Sequence, residues 1–368
     1  LDAGGLGTDS AAVSLNGGES TSVALSVATA SGDAGSYTAT VASADSTDST
    51  GVTVQESGTL TVGISSTNGP VVEGGTLTVE ASVENTGDVS DTQTIALDAG
   101  GLGTDSTAVS LAGGESTAVT LSVDTGSGDA GTYTATVSSE DSSDSTGVTV
   151  QAPAQFAVSI ANSSSPVVEG ETLTVDASVE NTGDVGDTQT VTLDAGGLGT
   201  NSATVSLGGG ESSGVTLSVD TGSGDAGSYT ATVSSADHAD STTVSVQEPA
   251  YFAVSIASVN SPVVEGESLS VEATVENTGD VGDSQTVTLD AGGLGTDATS
   301  VSLSGDATTT VTLSTGTGSG DAGTYTATVE SADDTTDASA TVLADASFEV
   351  SVSGTNTPGE GEPLAVDV

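Results

Sequence analysis

Apolar and polar residues alternate with a period of two along most of this chain. Residues 172–180 show the pattern most clearly, because every second position is apolar: Leu173, Val175, Ala177 and Val179. Such alternation predicts a β-strand with one buried face. The pattern recurs over residues 153–248 in seven short runs, and Gly, Asn, Asp and Ser, the residues that turns favour, separate the runs. No stretch has helical spacing, so we predict seven antiparallel strands there.

The chain repeats itself every 96 residues. The string LDAGGLGT begins at Leu1, Leu97, Leu193 and Leu289, and single Pro and Tyr residues keep the same interval. This period is that of a domain and not of a solenoid unit. A fixed spacing of the few large side chains also argues against disorder. We expect three complete copies, at 57–152, 153–248 and 249–344. Partial copies are expected at 1–56, with the later strands only, and at 345–368, with the first strands only.

Seven short strands with turn signals about every 8 to 12 residues are typical of an immunoglobulin-like sandwich. Tyr229 supports this prediction, because it follows a Gly- and Asp-containing turn and opens the sixth strand, where a tyrosine corner lies in such sandwiches. The linkers have about five residues and include Pro153 or Pro249, so neighbouring copies have little room to fold back on one another. The predicted fold is all-β: tandem seven-stranded antiparallel Ig-like β-sandwiches in a linear array.

Two short motifs carry a resemblance to a known family. They are V-E-N-T-G, at residues 179–183, and G-x-Y-T-A-T-V, at residues 227–233. The chain resembles the CARDB type of immunoglobulin-like domain, which occurs as tandem copies in archaeal and bacterial surface proteins. The resemblance covers the three complete copies and the two partial ones. It implies an extracellular protein of the cell surface.

The charge of the chain has one sign. It holds 52 Asp and Glu, one His and no Lys or Arg. Without cationic side chains it cannot neutralise phosphates, so nucleic acids and anionic membrane surfaces are excluded as partners. Self-repulsion opposes the compact state unless salt screens it. We therefore expect a halophilic archaeon as the source, with export into brine. The alternative is an acidic mesophilic adhesin that divalent ions stabilise.

Little in the sequence indicates catalysis. With no Cys there are no disulfides, thiolate metal sites or Cys nucleophiles. The single His238 stands where other copies have Ser142 or Asp334, so it cannot serve a function that the copies share. The GGLG loops precede no predicted helix, which argues against a phosphate site. No run of about 18 apolar residues and no apolar leader is visible. We expect no enzymatic activity.

One loop in each copy gathers four oxygen-bearing side chains. They are Glu84, Asn85, Asp88 and Asp91; Glu180, Asn181, Asp184 and Asp187; and Glu276, Asn277, Asp280 and Asp283. Calcium prefers such ligands, so a Ca²⁺ site is one hypothesis; a plain Asx turn is the other. A second acidic loop in the earlier copies is interpreted as solvated charge: Asp45, Asp48, Asp141, Asp144, Asp237 and Asp240. Asn162 begins an N-glycosylation sequon.

These features favour a mechanical role. We predict an extracellular structural repeat protein that forms a stalk, fibre or surface filament of a halophilic archaeon. The alternative is an adhesin or viral tail-fibre module that binds a receptor or a glycan through its loops. A spacer of a secreted hydrolase would need a further domain. The expected partner is the chain itself, laterally or head to tail, since residues 345–368 carry early strands that 1–56 lacks. No cofactor is expected beyond Ca²⁺ or bulk monovalent cations.

The excess of negative charge predicts that folding depends on salt. Circular dichroism of the purified chain should lose its β-sheet signal in dilute buffer and keep it at about 1 M salt or above, where the Debye length is about 3 Å. Chelator added in brine should leave the signal unchanged if Ca²⁺ is not structural. A fully folded chain in nearly ion-free water would contradict the halophile hypothesis.

Overall fold

The computed structural model describes residues 1–351, and nearly all of their regular structure is β-strand. The helices of the described residues are four 3-10 turns, at Gly4–Leu6, Gly100–Leu102, Gly196–Leu198 and Gly292–Leu294. None of the helices in this part of the chain is long and apolar enough to cross a membrane. The prediction of an all-β fold is confirmed.

Each complete copy has eight strand segments, because the first strand is split by a Pro-containing bend. Copy 57–152 contains β3 (Leu60–Thr67), β4 (Val71–Val72), β5 (Thr76–Asn85), β6 (Asp91–Asp98), β7 (Thr104–Leu111), β8 (Ser116–Asp124), β9 (Gly131–Ser138) and β10 (Ser143–Gln151). They follow β1 (Gly35–Ala42) and β2 (Thr47–Val54) of residues 1–56.

The next two copies repeat this order. Copy 153–248 contains β11 (Phe156–Ser163), β12 (Val167–Val168), β13 (Thr172–Asn181), β14 (Asp187–Asp194), β15 (Thr200–Leu207), β16 (Ser212–Asp220), β17 (Gly227–Ser234) and β18 (Ala239–Gln247). Copy 249–344 contains β19 (Phe252–Val259), β20 (Val263–Val264), β21 (Ser268–Asn277), β22 (Asp283–Asp290), β23 (Thr296–Leu303), β24 (Thr308–Gly316), β25 (Gly323–Glu330) and β26 (Thr335–Leu343). The 96-residue period of the sequence is therefore a period of structure.

The strands of a complete copy form two sheets. In copy 57–152 the three-stranded sheet has the order β3-β5-β8 and the five-stranded sheet has the order β4-β10-β9-β6-β7, and the later copies repeat both orders. The fourth full strand, β7, pairs with β6, from Asp91↔Leu111 to Asp98↔Thr104. This is the strand arrangement of an immunoglobulin-like sandwich, as predicted.

One ladder departs from the predicted antiparallel pattern. The pairing of β4 with β10 is parallel, with Val71 opposite Val150. After the bend at Pro70 the chain keeps its direction but moves from the three-stranded sheet to the five-stranded one. Because the last strand of the copy runs the same way there, the short ladder is parallel. The same pairing occurs between β12 and β18 and between β20 and β26.

The core of copy 57–152 lies between its two sheets. Leu77 and Val79 on β5 and Ile95 and Leu97 on β6 are at most 1% exposed and belong to one apolar cluster. Burial alternates along β5 and β6, as the period of two requires. Each buried Leu or Ile contributes about 1.5–3 kcal/mol of transfer free energy.

The described chain divides into two compact units. The first comprises Leu1–Ala157, Glu180–Gln189 and Val205–Ser213. The second comprises Val158–Val179, Thr190–Thr204 and the described residues from Gly214 onward. The division passes through copy 153–248. No described strand spans the positions 56, 152, 248 or 344 that the repeat predicts as boundaries, and the predicted domain boundaries stay a prediction.

The tyrosine corner is confirmed in all four described instances. The Tyr133 hydroxyl donates to the carbonyl oxygen of Asp129 at 2.9 Å, and Tyr229 donates to Asp225 at 2.8 Å. Tyr37 and Tyr325 make the equivalent bonds, at 2.9 and 2.8 Å. The hydroxyl ties the start of the sixth strand to the turn before it.

Residues 1–56 have fewer strands than their sequence predicts. Beyond β1 and β2 they contain only a 3-10 turn and isolated bridges of Asp2 with Thr8 and Thr40. The segment 11–27 has the apolar pattern of β7 and β8 but forms no strand. In a complete copy β7 pairs with β6 and β8 pairs with β5, whereas residues 1–56 include only the last two residues of a β6 counterpart and no β5 counterpart. Val13 and Leu15 are accordingly about half exposed, whereas Val109 and Leu111 are buried.

The predicted first strands of 345–368 lie mostly outside the described residues. The described part, residues 345–351, contains no strand.

Candidate functional site

The N-T-G-D loop between β5 and β6 is built around a buried amide. Asn85 is fully buried, and its Nδ2 donates to the carbonyl oxygens of Val89 at 2.9 Å and Leu111 at 3.1 Å. Its Oδ1 accepts the backbone N–H groups of Thr59 at 3.1 Å and Gly87 at 3.0 Å. All of the hydrogen-bonding capacity of this side chain is used within the protein.

The two later copies repeat this geometry. Asn181 Oδ1 accepts the N–H groups of Gln155 and Gly183, both at 3.1 Å, and Nδ2 donates to Val185 at 2.8 Å. Asn277 is likewise fully buried and accepts the N–H of Tyr251 at 3.1 Å. In each copy the Asn therefore connects its own loop to the residue just before the first strand.

The Asp of the same loop holds the linker that precedes the copy. Asp184 Oδ2 accepts the N–H of Ala152 at 2.8 Å, and the Asp184 N–H donates to the Ala152 carbonyl at 3.0 Å. Asp88 binds Glu56 through the same two bonds, both at 3.0 Å. Asp280 binds Glu248 at 2.9 and 3.2 Å. In each of these three linkers, one residue is thus hydrogen-bonded through both its backbone N–H and its backbone carbonyl group.

The Gly of the motif allows this close approach. A Cβ on Gly183 would overlap the carbonyl oxygen of Pro153, and a Cβ on Gly87 or Gly279 would overlap that of Ser57 or Pro249. These three Gly residues do not have positive φ, so the requirement is for space and not for backbone conformation. We call the buried Asn, the Gly and the Asp of the N-T-G-D loop, with the linker backbone they contact, the junction clasp.

The structure does not gather the predicted calcium ligands around one point. Asn85 and Asp88 bind backbone groups, as above, while Glu84 points outward and is exposed at the end of β5. Asp91 accepts the Thr92 N–H at 2.7 Å and the Gln93 Nε2 at 2.7 Å. Among residues 1–351, no three His, Asp or Glu side chains are placed to hold a metal ion. Specific Ca²⁺ binding stays a prediction.

Carboxylates of the second acidic loop contact the first strand of their copy. Asp141 Oδ2 accepts the Leu60 N–H at 2.9 Å, and Asp144 Oδ2 accepts the Ile64 N–H at 2.8 Å. Asp240 accepts the Ile160 N–H at 2.8 Å. Asp141 and Asp144 are exposed, as expected for solvated charge, but all three carboxylates also satisfy outward amides of the first strand, an edge strand of its sheet.

Gln93 is a second residue that sequence reasoning missed. This 7%-exposed side chain donates from Nε2 to Asp141 at 2.6 Å and accepts the Glu140 N–H at 3.0 Å. The hydrogen bond from Gln93, followed by that from the Leu60 amide, holds the pKa of Asp141 below its usual value. A polar residue at an inward position of an otherwise apolar strand was the available signal.

Glu73 and its equivalents bind the turn before the sixth strand. Glu73 Oε1 accepts the N–H groups of Gly128 at 3.0 Å and Ala130 at 2.7 Å. Glu265 does the same with Gly320 and Ala322, and the Ala322 amide is the main cause that lowers the pKa of Glu265. These carboxylates act as acceptors for turn amides that have no ladder partner.

The two remaining candidates stand apart from the clasp. His238 Nδ1 accepts the Val158 N–H at 3.4 Å, at the position where Asp334 accepts the Val254 N–H. Asn162 lies exposed on β11, so the sequon is accessible. Neither residue lies with a partner that would indicate catalysis; the absence of enzymatic activity stays a prediction, and so does glycosylation.

Comparison with known proteins gives a likeness of fold alone. No family model matches the chain. No curated protein matches it in sequence either. Among solved structures it is similar to an I67–I69 fragment of titin, at 18% identity, covering 80% of this chain and 100% of that one with a TM-score of 0.28. It is also similar to an eight-domain fragment of DSCAM, at 13% identity, covering 89% and 42% with a TM-score of 0.22.

A third similar structure is that of Sidekick-1 immunoglobulin domains 1–5, at 14% identity, covering 87% of this chain and 68% of that one with a TM-score of 0.23. Nothing about the function of this chain follows from identities and scores this low. The CARDB resemblance and the haloarchaeal source stay predictions.

The Asp141 contacts generate a prediction about pH. Because the folded-state pKa is lowered, this carboxylate stabilises the fold above its unfolded pKa of about 3.9, and the stabilisation is lost as pH falls through the folded value. The Gln93→Ala variant should move the Asp141 titration midpoint upward, as ¹³C NMR of its carboxyl carbon in brine would show. An unchanged midpoint would contradict the assigned cause. Asp45, which binds no strand amide, is the control carboxyl.

Proposed function

We propose that this chain is the repeat region of an extracellular structural protein, a stalk, fibre or surface filament of a halophilic archaeon. The observation that carries the proposal is the junction clasp, which occurs with the same contacts at residues 56–59, 152–155 and 248–251. A stalk or fibre requires linkers of fixed conformation between its domains, and it does not require a ligand pocket.

The clasp converts a short linker into part of a folded copy. A free five-residue linker would leave the preceding residues mobile. Here a carboxylate accepts one linker amide, the loop amide donates back, and the buried Asn accepts a further amide three residues on. Hydrogen bonds to a carboxylate are stronger than those to a neutral acceptor. Because the three bonds act on four successive residues, they favour one conformation of the linker backbone.

The repetition supports the same proposal. The clasp residues are the same three in every complete copy, whereas the linker residues that they hold are Glu56, Ala152 and Glu248. The contacts use linker backbone only, so the linker side chain is free to vary. Identical joints between near-identical sandwiches favour a uniform array over a single specialised binding end.

The first test concerns the joint. The chain has no Cys, so Ser122→Cys and Ser218→Cys allow two spin labels in adjacent copies, and electron–electron dipolar spectroscopy in brine gives their distance distribution. The parent should show one narrow distribution. Asp184→Ala should broaden it, since the Ala152 amide loses its acceptor, and Gly183→Ala should shift it, because its Cβ displaces Pro153.

The matched control is Glu180→Ala, which removes an exposed carboxylate of the same loop that makes no hydrogen bond to the protein. It should leave the distribution narrow. A broad distribution in the parent, or equal broadening in the control, would contradict the clasp as a stiffening device.

The second test concerns location. Antibodies raised against the folded repeat should label intact cells of the source organism, as immunogold electron microscopy would show, on extended structures outside the cell envelope. Labelling that appears only after lysis would overturn the extracellular proposal whatever the outcome of the spectroscopy.

A further inference from the structure

One broad surface of the sandwich is nearly free of charge. It consists of the outward residues of β6, β7, β9 and β10 in copy 57–152, and of β14, β15, β17 and β18 in copy 153–248; we call it the hydroxyl face. On β9 these residues are Thr132, Thr134, Thr136 and Ser138, which alternate with the inward Tyr133, Ala135 and Val137. The other three strands present Thr, Ser, Ala and Gly in the same way, with one Gln and one Asp.

The carboxylates of copy 57–152 are placed elsewhere. The copy has 13 Asp and Glu residues, and only Asp98 lies on the hydroxyl face, at its end, where it accepts the Gly100 N–H at 2.8 Å. The outer side of the three-stranded sheet differs, since it carries Glu80, Glu84 and Asp124 on fewer strands. Copy 153–248 has the same division, with Asp194 as the single acidic residue of its face.

The hydroxyl groups of this face have unused hydrogen-bonding capacity. Among residues 57–152, Thr92 Oγ1 donates to Ser110 Oγ at 2.8 Å, and no other hydroxyl of the face bonds to a protein group. A hydroxyl is both donor and acceptor. The hydroxyls of two identical faces can therefore form hydrogen bonds with each other.

We propose that the hydroxyl face is the lateral contact between two copies of this chain. Any other described side of the sandwich would bring carboxylates against carboxylates, and no Lys or Arg is present to relieve them. A basic partner would bind the acidic loops or the three-stranded sheet in preference to this face. Charge therefore selects a partner that is itself acidic with one neutral side, which describes a second copy.

The area sets the strength of the contact. Four strands about 4.8 Å apart and about 8 residues long at 3.3 Å each give a face of about 500 Å². A stable interface buries about 800 Å² on each partner, so one copy alone gives a weak contact. Association should require high salt, which screens the total charge and strengthens apolar burial of the Thr methyl groups.

Copy 249–344 supplies the substitutions for the test. At the positions equivalent to Ser138 and Ser145 it carries Glu330 and Asp337, and both lie on regular strands. Ser138→Glu, Ser145→Asp, Ser234→Glu and Ser241→Asp therefore add four charges that the same fold tolerates. The control places four on the outer side of the three-stranded sheets: Ser82→Glu, Ser122→Asp, Ser178→Glu and Ser218→Asp.

Sedimentation velocity of chain 1–368 across a salt series is the measurement. The parent should associate reversibly at about 3 M salt, and the four-charge face variant should associate at least about tenfold more weakly, because buried carboxylates must be desolvated even when charge is screened. The control should match the parent. Circular dichroism should show all three equally folded.

Three results would overturn the proposal: a parent that stays monomeric up to about 1 mM in brine, a control that loses association to the same extent as the face variant, or mass spectrometry of the native protein showing glycans on Thr132, Thr134 or Thr136. The contact uses no residue of the junction clasp, so it and the proposed function can fail separately.

Discussion

The hydrogen bond from a backbone N–H to a carboxylate oxygen is the interaction on which most of this structure outside its ladders depends. A chain with no Lys or Arg cannot pair its acidic side chains with cations. Instead, Asp184 accepts a linker amide, Asp141 accepts an edge-strand amide and Glu73 accepts two turn amides. Buried amides without hydrogen-bond partners destabilise a fold. A hydrogen bond to an ionised acceptor is stronger than one to a neutral acceptor.

This use of charge also explains how an acidic chain keeps a folded interior. Many of the carboxylates lie at turns, linkers and strand edges, where amides have no ladder partner, and others, such as Glu80, lie on the outer face of the three-stranded sheet. They are absent from the apolar core between the sheets. Along the first strand they cover amides that would otherwise be open to pairing with another chain. The carboxylates still repel one another, and salt weakens this repulsion by screening the charges.

The N-T-G-D motif shows how one short sequence can serve several contacts at once. Its Asn fills the inside of the loop, its Gly provides space and its Asp accepts the linker amide. Because the motif lies in each complete copy and acts on the linker before it, the same contacts hold the linker before each of the three copies.

Most of the fold could be predicted from the sequence, and most of the site could not. Alternation along residues 172–180, the 96-residue period and the position of Tyr229 are local or periodic signals, and the structure confirmed the strands and the corner that they predicted. The sequence did not indicate the contacts of Asp141 and Asp144, because their partners, Leu60 and Ile64, lie about 80 residues away.

Side-chain periodicity is a property of neighbouring residues, so the sequence by itself determined, within the complete copies, which residues form strands, which face is buried and how often the unit recurs. Only the tertiary structure decided that the fourth strand joins the third, that β4 runs parallel to β10, and that the N-T-G-D loop holds a linker. Those outcomes depend on which distant amide lies within about 3 Å of which oxygen, and packing alone fixes that.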